Sequence, residues 1–196
     1  MKSNDQNLLP KIGEVYLTPE FFSALESELF LENLRREILW KHEPIMMFGK
    51  KVMQPRLTAL YGDTDKTYRY SGVTMKPEPW TETLLEIKRR IEKVSDTEFT
   101  TVLLNQYRDE RDSMGWHRDN EKELGINPVI GSVSFGAARI FQFRHYDEKS
   151  LKINIDLTDG SYLLMRGETQ HRWEHALPKR KSVRGTRVNL TFRKIL

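Results

Sequence analysis

Apolar positions recur at helical spacing in the first half of the chain and alternate in the second. Thr18-Pro19 reads as a helix start, with Thr as N-cap and Pro at the first helical position. Phe22, Leu25 and Leu29 follow at helical spacing, and Leu31, Leu34, Ile38 and Leu39 make a second helical pattern. Trp80, Leu84, Ile87, Ile91 and Val94 are separated by 4, 3, 4 and 3 residues, which predicts an amphipathic helix with a polar outer face. Residues 11–17 alternate weakly, as an edge strand would, and 45–52 reads as a hairpin turning at Gly49. From Phe99 onward come short strands over 101–107, 116–119, 130–135, 138–143, 151–157, 161–165, 171–175 and 186–193, punctuated by Gly, Asp, Asn and Pro. The expected fold is therefore mainly β with flanking helices (α+β), built on a jelly roll or related barrel. The chain divides into a helical extension over 1–44, a hairpin or lid region with its supporting helix over 45–98, and the core over 99–196. All three belong to one integrated domain.

Composition narrows the chemistry. A length of 196 residues suits one domain with a sizeable core. No apolar run approaches membrane-spanning length, and residues 1–7 lack the apolar centre of a secretion signal, so a cytoplasmic protein (nuclear, if the source is eukaryotic) is expected. Cysteine is absent, which excludes disulfides and leaves His, Asp and Glu as the only metal ligands. A net charge of +4 and a pI near 9.2 lean towards a polyanionic partner without deciding for one.

His117-Arg118-Asp119 then stands out. On an extended chain a His and an Asp two apart share a face. Together they offer two of the three ligands of the 2-His-1-carboxylate triad, which holds Fe(II) and leaves positions open for O2 and a co-substrate. The third must be a His, and of five in all His117 is already used, which leaves four. His42 lies in the helical part and His145 in a polar turn. Between His171 and His175 the residues alone leave a choice, with His175 preferred because Ala176-Leu177-Pro178 looks like a fixed strand end.

Arg187-Val188-Asn189-Leu190-Thr191-Phe192-Arg193 alternates without exception, and its polar face suits a carboxylate. The two arginines lie roughly 20 Å apart at about 3.3 Å per residue, so separate duties follow. Arg187 would take one end of a dicarboxylate; Arg193 would serve the other end or the metal-bound Asp. Asn105 and Tyr107 can add neutral hydrogen bonds from a neighbouring strand. Tyr68 and Tyr70 share a strand face, usually half-buried sheet and otherwise a stacking slot for a base. The hairpin, a surface element on the blander reading, otherwise offers an apolar tip with Lys50 and Lys51 towards phosphate. Lys179-Arg180-Lys181 reads as a solvated turn.

Taken together, His117-x-Asp119, His175 followed by Ala-Leu-Pro, and Arg187-x-Asn189-x-Thr191-x-Arg193 resemble the signature of the AlkB family of Fe(II)/2-oxoglutarate dioxygenases, which remove alkyl groups from nucleobases. The resemblance runs from about Phe48 to the C-terminus and takes in Phe48-Gly49-Lys50, Pro55-Arg56, Tyr61-Gly62-Asp63, Tyr68-x-Tyr70-Ser71-Gly72, Asn105-x-Tyr107, Ser132-Val133-Ser134-Phe135-Gly136 and Phe141-x-Phe143-Arg144-His145. It is closest to the branch whose animal members act on duplex DNA. It implies a double-stranded β-helix core, with Fe(II), 2-oxoglutarate and O2 as cofactor and co-substrates. It further implies that His117, Asp119 and His175 bind iron and that Asn105, Tyr107, Arg187, Asn189, Thr191 and Arg193 surround 2-oxoglutarate. The 45–98 segment becomes the nucleotide-recognition region. Phe48, Gly49, Lys50, Arg56, Tyr68, Tyr70, Ser71, Asn120 and Glu121 then lie about the substrate.

The implied activity is oxidative removal of N-alkyl lesions (1-methyladenine, 3-methylcytosine, etheno adducts) from single- or double-stranded DNA, with no membrane and no obligate protein partner. The alternatives are the same chemistry on RNA or on a non-nucleic-acid substrate, or a binding module without catalysis. Asn120 departs from the second acid that duplex-acting relatives usually carry after the metal Asp. An amide both donates and accepts, so the preferred lesion is left open.

Overall fold

The structure is a computed structural model describing residues 6–47, 50–65, 68–70 and 73–196, with backbone alone at 45–47, 68–70 and 73–75. Phe48, Gly49 and Ser71 lie outside the described residues, as do the side chains of Tyr68 and Tyr70. The strands are β1 (Glu14–Thr18), β2 (Pro44–Met47), β3 (Lys50–Met53), β4 (Leu57–Gly62), β5 (Tyr68–Tyr70), β6 (Val73–Met75) and β7 (Thr101–Tyr107). They continue with β8 (Met114–His117), β9 (Ile130–Gly136), β10 (Arg139–His145), β11 (Lys152–Leu157), β12 (Ser161–Arg166), β13 (Trp173–Leu177) and β14 (Arg187–Arg193). The helices are α1 (Ala24–Glu37), α2 (Glu82–Ser95) and the single turn α3 (Thr169–Arg172).

A six-stranded sheet, ordered β1-β12-β9-β14-β7-β4, faces a four-stranded sheet, β11-β10-β13-β8, and all the strand pairings within both are antiparallel. This is the expected jelly roll. β1 and β4, from segments 1–44 and 45–98, complete the larger sheet, so the chain's divisions are not divisions of the sheet. The alternation read in β14 sorts its two faces. Val188, Leu190 and Phe192, all at 0% exposure, join Leu84, Ile87 and Ile91 of α2 and Phe30 and Leu34 of α1 in one apolar cluster. Each such buried side chain contributes about 1.5–3 kcal/mol relative to exposure. Arg187, Asn189, Thr191 and Arg193 are left facing the smaller sheet.

Several boundaries differ from expectation. Thr18 ends β1 rather than capping a helix. α1 begins at Ala24, because Ser23 forms a capping box with Glu26 that satisfies the free N–H groups of the first turn. A single helix replaces the two helical patterns. Its buried residues are Ser27, Phe30 and Leu34, while Leu25 and Leu29 stay exposed. β8 stops at His117, so Asp119 lies in the loop beyond it. His171 belongs to α3, and the last His-bearing strand starts at Trp173.

Candidate metal centre and anion pocket

Antiparallel pairing of β8 with β13 sets His117 directly opposite His175. Their rings meet edge to face with centroids 4.2 Å apart. Asp119 comes in from the loop, and one potential ligand atom from each of the three residues lies within 4.8 Å of the others. Nδ1 of His117 lies 2.8 Å from the carbonyl of Gly115. A carbonyl only accepts, so Nδ1 carries the proton and Nε2 keeps its lone pair for a metal.

Nη2 of Arg193 donates to Oδ2 of Asp119 at 2.8 Å, both side chains being about 3% exposed or less. The backbone N–H of Asp119 donates to Oε1 of Gln170. Oδ1 of Asp119 and Nδ1 of His175 are buried with no hydrogen-bond partner among the described residues. Unsatisfied buried polar atoms are costly, and a metal ion would take up the carboxylate oxygen. The donor set of two imidazoles and one carboxylate fits Fe(II).

The electrostatics suit the same role. Burial drives the pKa of His175 down to about 3, with the neighbouring His117 adding to the effect. Burial likewise lowers His117, although 24% of its side chain reaches solvent on the open side of the centre. Burial would raise Asp119, but Arg193 and the two imidazoles outweigh it and hold the carboxyl at about 2. Neutral imidazoles and an ionised acid are the forms a metal binds. Phe141 and Phe143 flank His175 at centroid distances of 5.2 and 5.8 Å and keep water from that side.

Beside the three ligands lies a hollow lined by Leu103, Asn105, Tyr107, Met114, Ser132, Phe141, Leu177, Arg187, Asn189, Thr191 and Arg193. Strand register assembles it, because β14 pairs Arg187 with Tyr107 and Asn189 with Asn105. Arg187 is 2% exposed, donates to Ser134 Oγ at 2.9 Å and lies over the Tyr107 ring at 5.3 Å. It makes no ion pair among the described residues, and burial lowers its pKa to about 10. A buried cation without a counter-ion marks an anion site. Arg193, by contrast, pairs with Asp119.

Asn189 is more committed than its place in the motif suggests. Its Nδ2 donates to Ser132 Oγ and Val133 O, and its Oδ1 accepts from Thr191. Of the residues the resemblance put near the substrate, Lys50 and Asn120 are exposed, Glu121 is half-buried and Arg56 is buried at 4% exposure. Two further residues, Gln170 and Arg139, escape a reading of the sequence. Gln170 looks like part of a polar stretch yet is fully buried. Arg139, 1% exposed, donates to the carbonyls of Asp112 and Pro178 and lies over the Tyr107 ring, 5.6 Å from its centroid. Only their tertiary partners reveal these roles; no local signal does.

The 2OG-Fe(II) oxygenase superfamily model matches residues 14–193. The chain is 40% identical over 185 residues to the Bos taurus DNA oxidative demethylase ALKBH2, covering 89% of this chain and 66% of that protein. It is 40% identical over 196 residues to the Mus musculus alpha-ketoglutarate-dependent dioxygenase alkB homolog 3, covering 94% and 67%. The chain thus spans about two thirds of the length of these relatives. The solved structure of OsALKBH1 matches with a TM-score of 0.71 at 15% identity, covering 96% of this chain and 100% of that one, a likeness of fold. With that model match, these relatives and a His-Asp-His cluster that could hold a metal ion, the chain belongs to the AlkB family of the 2OG-Fe(II) oxygenase superfamily.

Proposed function

We propose that this protein is an Fe(II)- and 2-oxoglutarate-dependent dioxygenase that removes N-alkyl groups from DNA bases, reversing the damage directly. The observation that carries the proposal is the His117–Asp119–His175 cluster, its ligand atoms within 4.8 Å of one another, opening onto a hollow that holds an uncompensated guanidinium. The names of the relatives, a DNA oxidative demethylase among them, support DNA as the polymer. With iron, 2-oxoglutarate and O2 bound, the centre would hydroxylate the N-alkyl carbon with one oxygen atom of O2 while the other passes to succinate as 2-oxoglutarate loses CO2, and the hydroxylated group would leave as an aldehyde, restoring the unmodified base within its strand.

The chain's own residues do the rest. His117 offers Nε2 because Gly115 fixes its tautomer, and Asp119 stays ionised because Arg193 faces it. Arg187 and Tyr107 grip the far carboxylate of the co-substrate, while Phe141 and Phe143 exclude water behind His175. Exposed Lys50 and Lys51 on β3 meet phosphate. A base methylated on its pairing edge pairs poorly, which lowers the cost of extruding it to the iron. Phe48, Gly49, Tyr68, Tyr70, Ser71, Asn120 and Glu121 are assigned to the substrate side on the resemblance.

The assignment requires no protein partner, and the protein works where nucleic acid lies, in cytoplasm or nucleus. Among the described residues no helix is long and apolar enough to cross a membrane. RNA is the second substrate to try, since nothing in the basic surface separates the two polymers.

The test incubates the protein with Fe(II), ascorbate and 2-oxoglutarate on oligonucleotides carrying 1-methyladenine, 3-methylcytosine or 1,N6-ethenoadenine. Mass spectrometry on single-stranded DNA, duplex DNA and RNA reads the product. Loss of the alkyl mass is expected on DNA, and His117→Ala should abolish succinate formation. Succinate formed without loss of mass from any of these would reject the nucleobase assignment.

A further inference from the structure

Arg56 leaves the hairpin side of the molecule between β3 and β4 and turns inward. Its Nε donates to Oδ1 of Asn105 at 2.7 Å, and the two residues are 4% and 2% exposed. Its Nη1 donates to Ser113 O at 3.3 Å, while Ser113 N donates to Pro55 O at 2.9 Å. These reciprocal bonds fasten the Pro55-Arg56 corner to the residue preceding β8. The guanidinium is therefore committed to Asn105, one of the residues that line the hollow, and to the backbone beside β8.

The commitment has a chemical consequence. An asparagine amide fits either way round until a neighbour decides, and a guanidinium N–H can be met only by Oδ1. Arg56 thus decides the orientation of Asn105. Its Nδ2 donates to none of the described residues, whereas that of Asn189 is spent on Ser132 and Val133. Of the two asparagines lining the hollow, only Asn105 has N–H groups to give to a guest.

We propose that Arg56 is a positioning residue of the co-substrate pocket, which fixes the Asn105 amide with its donors towards a carboxylate of 2-oxoglutarate. The proposal rests on reading the hollow as the seat of 2-oxoglutarate, and it reassigns Arg56 from the substrate to the co-substrate. Without Arg56 the amide is free to turn its oxygen towards the anion, where it repels.

Calorimetry of 2-oxoglutarate binding to the full chain loaded with Mn(II) tests this without any turnover. Arg56→Met should weaken binding about tenfold, the effect of one misdirected hydrogen bond, and Asn105→Ala by a similar factor. The double variant should bind no worse than Asn105→Ala alone, because the two act through one contact. Arg56→Lys, which keeps a donor for Oδ1, should restore affinity to within about threefold of the wild type. Asn105→Asp, which keeps the pairing with Arg56 but offers no donor, should bind more weakly than Asn105→Ala. Multiplying losses in the double variant, unchanged affinity in Arg56→Met, or Asn105→Asp binding as well as Asn105→Ala would each overturn the proposal. A drop in oligonucleotide affinity with 2-oxoglutarate binding intact would return Arg56 to the substrate. Failure of base repair on every oligonucleotide leaves this cycle readable, so the two readings fail separately.

Discussion

Arg187 brings a positive charge into the interior with a hydroxyl for a partner, an arrangement that stabilises the molecule only when an anion arrives. Arg187→Met should weaken 2-oxoglutarate binding by on the order of 10- to 100-fold, as removal of a charge-assisted hydrogen bond does. The ligand-free protein should melt no lower than the wild type, since an uncompensated buried charge has been removed. Calorimetry and thermal melts check both, and unchanged co-substrate affinity would refute the role. A second expectation concerns protons. The folded pKa of His175, about 3, lies below the ordinary value of 6.5, so the unfolded chain binds the proton more readily. The contribution of His175 is fully present above pH 6.5 and is lost as pH falls through the folded value. Asp119, held at about 2, adds loss in the same direction below its ordinary value of 3.8. Metal-free protein should therefore lose stability progressively below about pH 6.5, read from urea midpoints at several pH values. A flat profile would contradict the buried, neutral state of His175. At this scale the site is legible wherever chemistry follows strand alternation, as in Arg187-x-Asn189-x-Thr191-x-Arg193 and Asn105-x-Tyr107. It is not legible for Gln170, Arg139 or the inward course of Arg56, whose partners are distant in sequence.

Element boundaries are harder to read from the residues than element types. β7 occupies the residues its pattern predicts, because an apolar run between turns has few alternatives. α1 begins later than the pattern suggests, since Thr18-Pro19 imitates a helix start while Ser23 and Glu26 supply the reciprocal cap. The exposure of Leu25 and Leu29 shows that helical spacing alone does not tell which stripe faces the sheet. Asp119 lies outside β8, so its meeting with His117 depends on the loop and on Gln170, beyond what alternation provides. The β2–β3 hairpin is recognisable from its flanks, and Lys50 and Lys51 stand exposed on β3. Replacing both lysines with alanine should flatten the dependence of DNA affinity on salt, the log–log slope falling by about 0.9 for each phosphate left without its lysine. Binding isotherms across a range of KCl concentrations measure it, and an unaltered slope would remove the hairpin from the interface.

For the whole molecule, the number of short strands indicates a jelly roll, while the order of those strands emerges only in three dimensions. That order gives the site two unlike walls. β14 runs through the interior of the larger sheet between β9 and β7, every residue buried. β8 is an edge strand of four residues, paired among the described residues with β13 alone, through a register that shifts between His175 and Leu177. Hydrogen exchange on metal-free protein should find β14 amides protected to the limit of global unfolding and β8 amides exchanging by local opening. Mn(II) should slow β8 and leave β14 as it was; equal protection of both strands before metal is added would sink the expectation. An ion held by His117 and His175 would join a marginal strand to its neighbour. A chelator should thus act on this fold as a reductant acts on a disulfide, opening one seam while the body of the molecule stands.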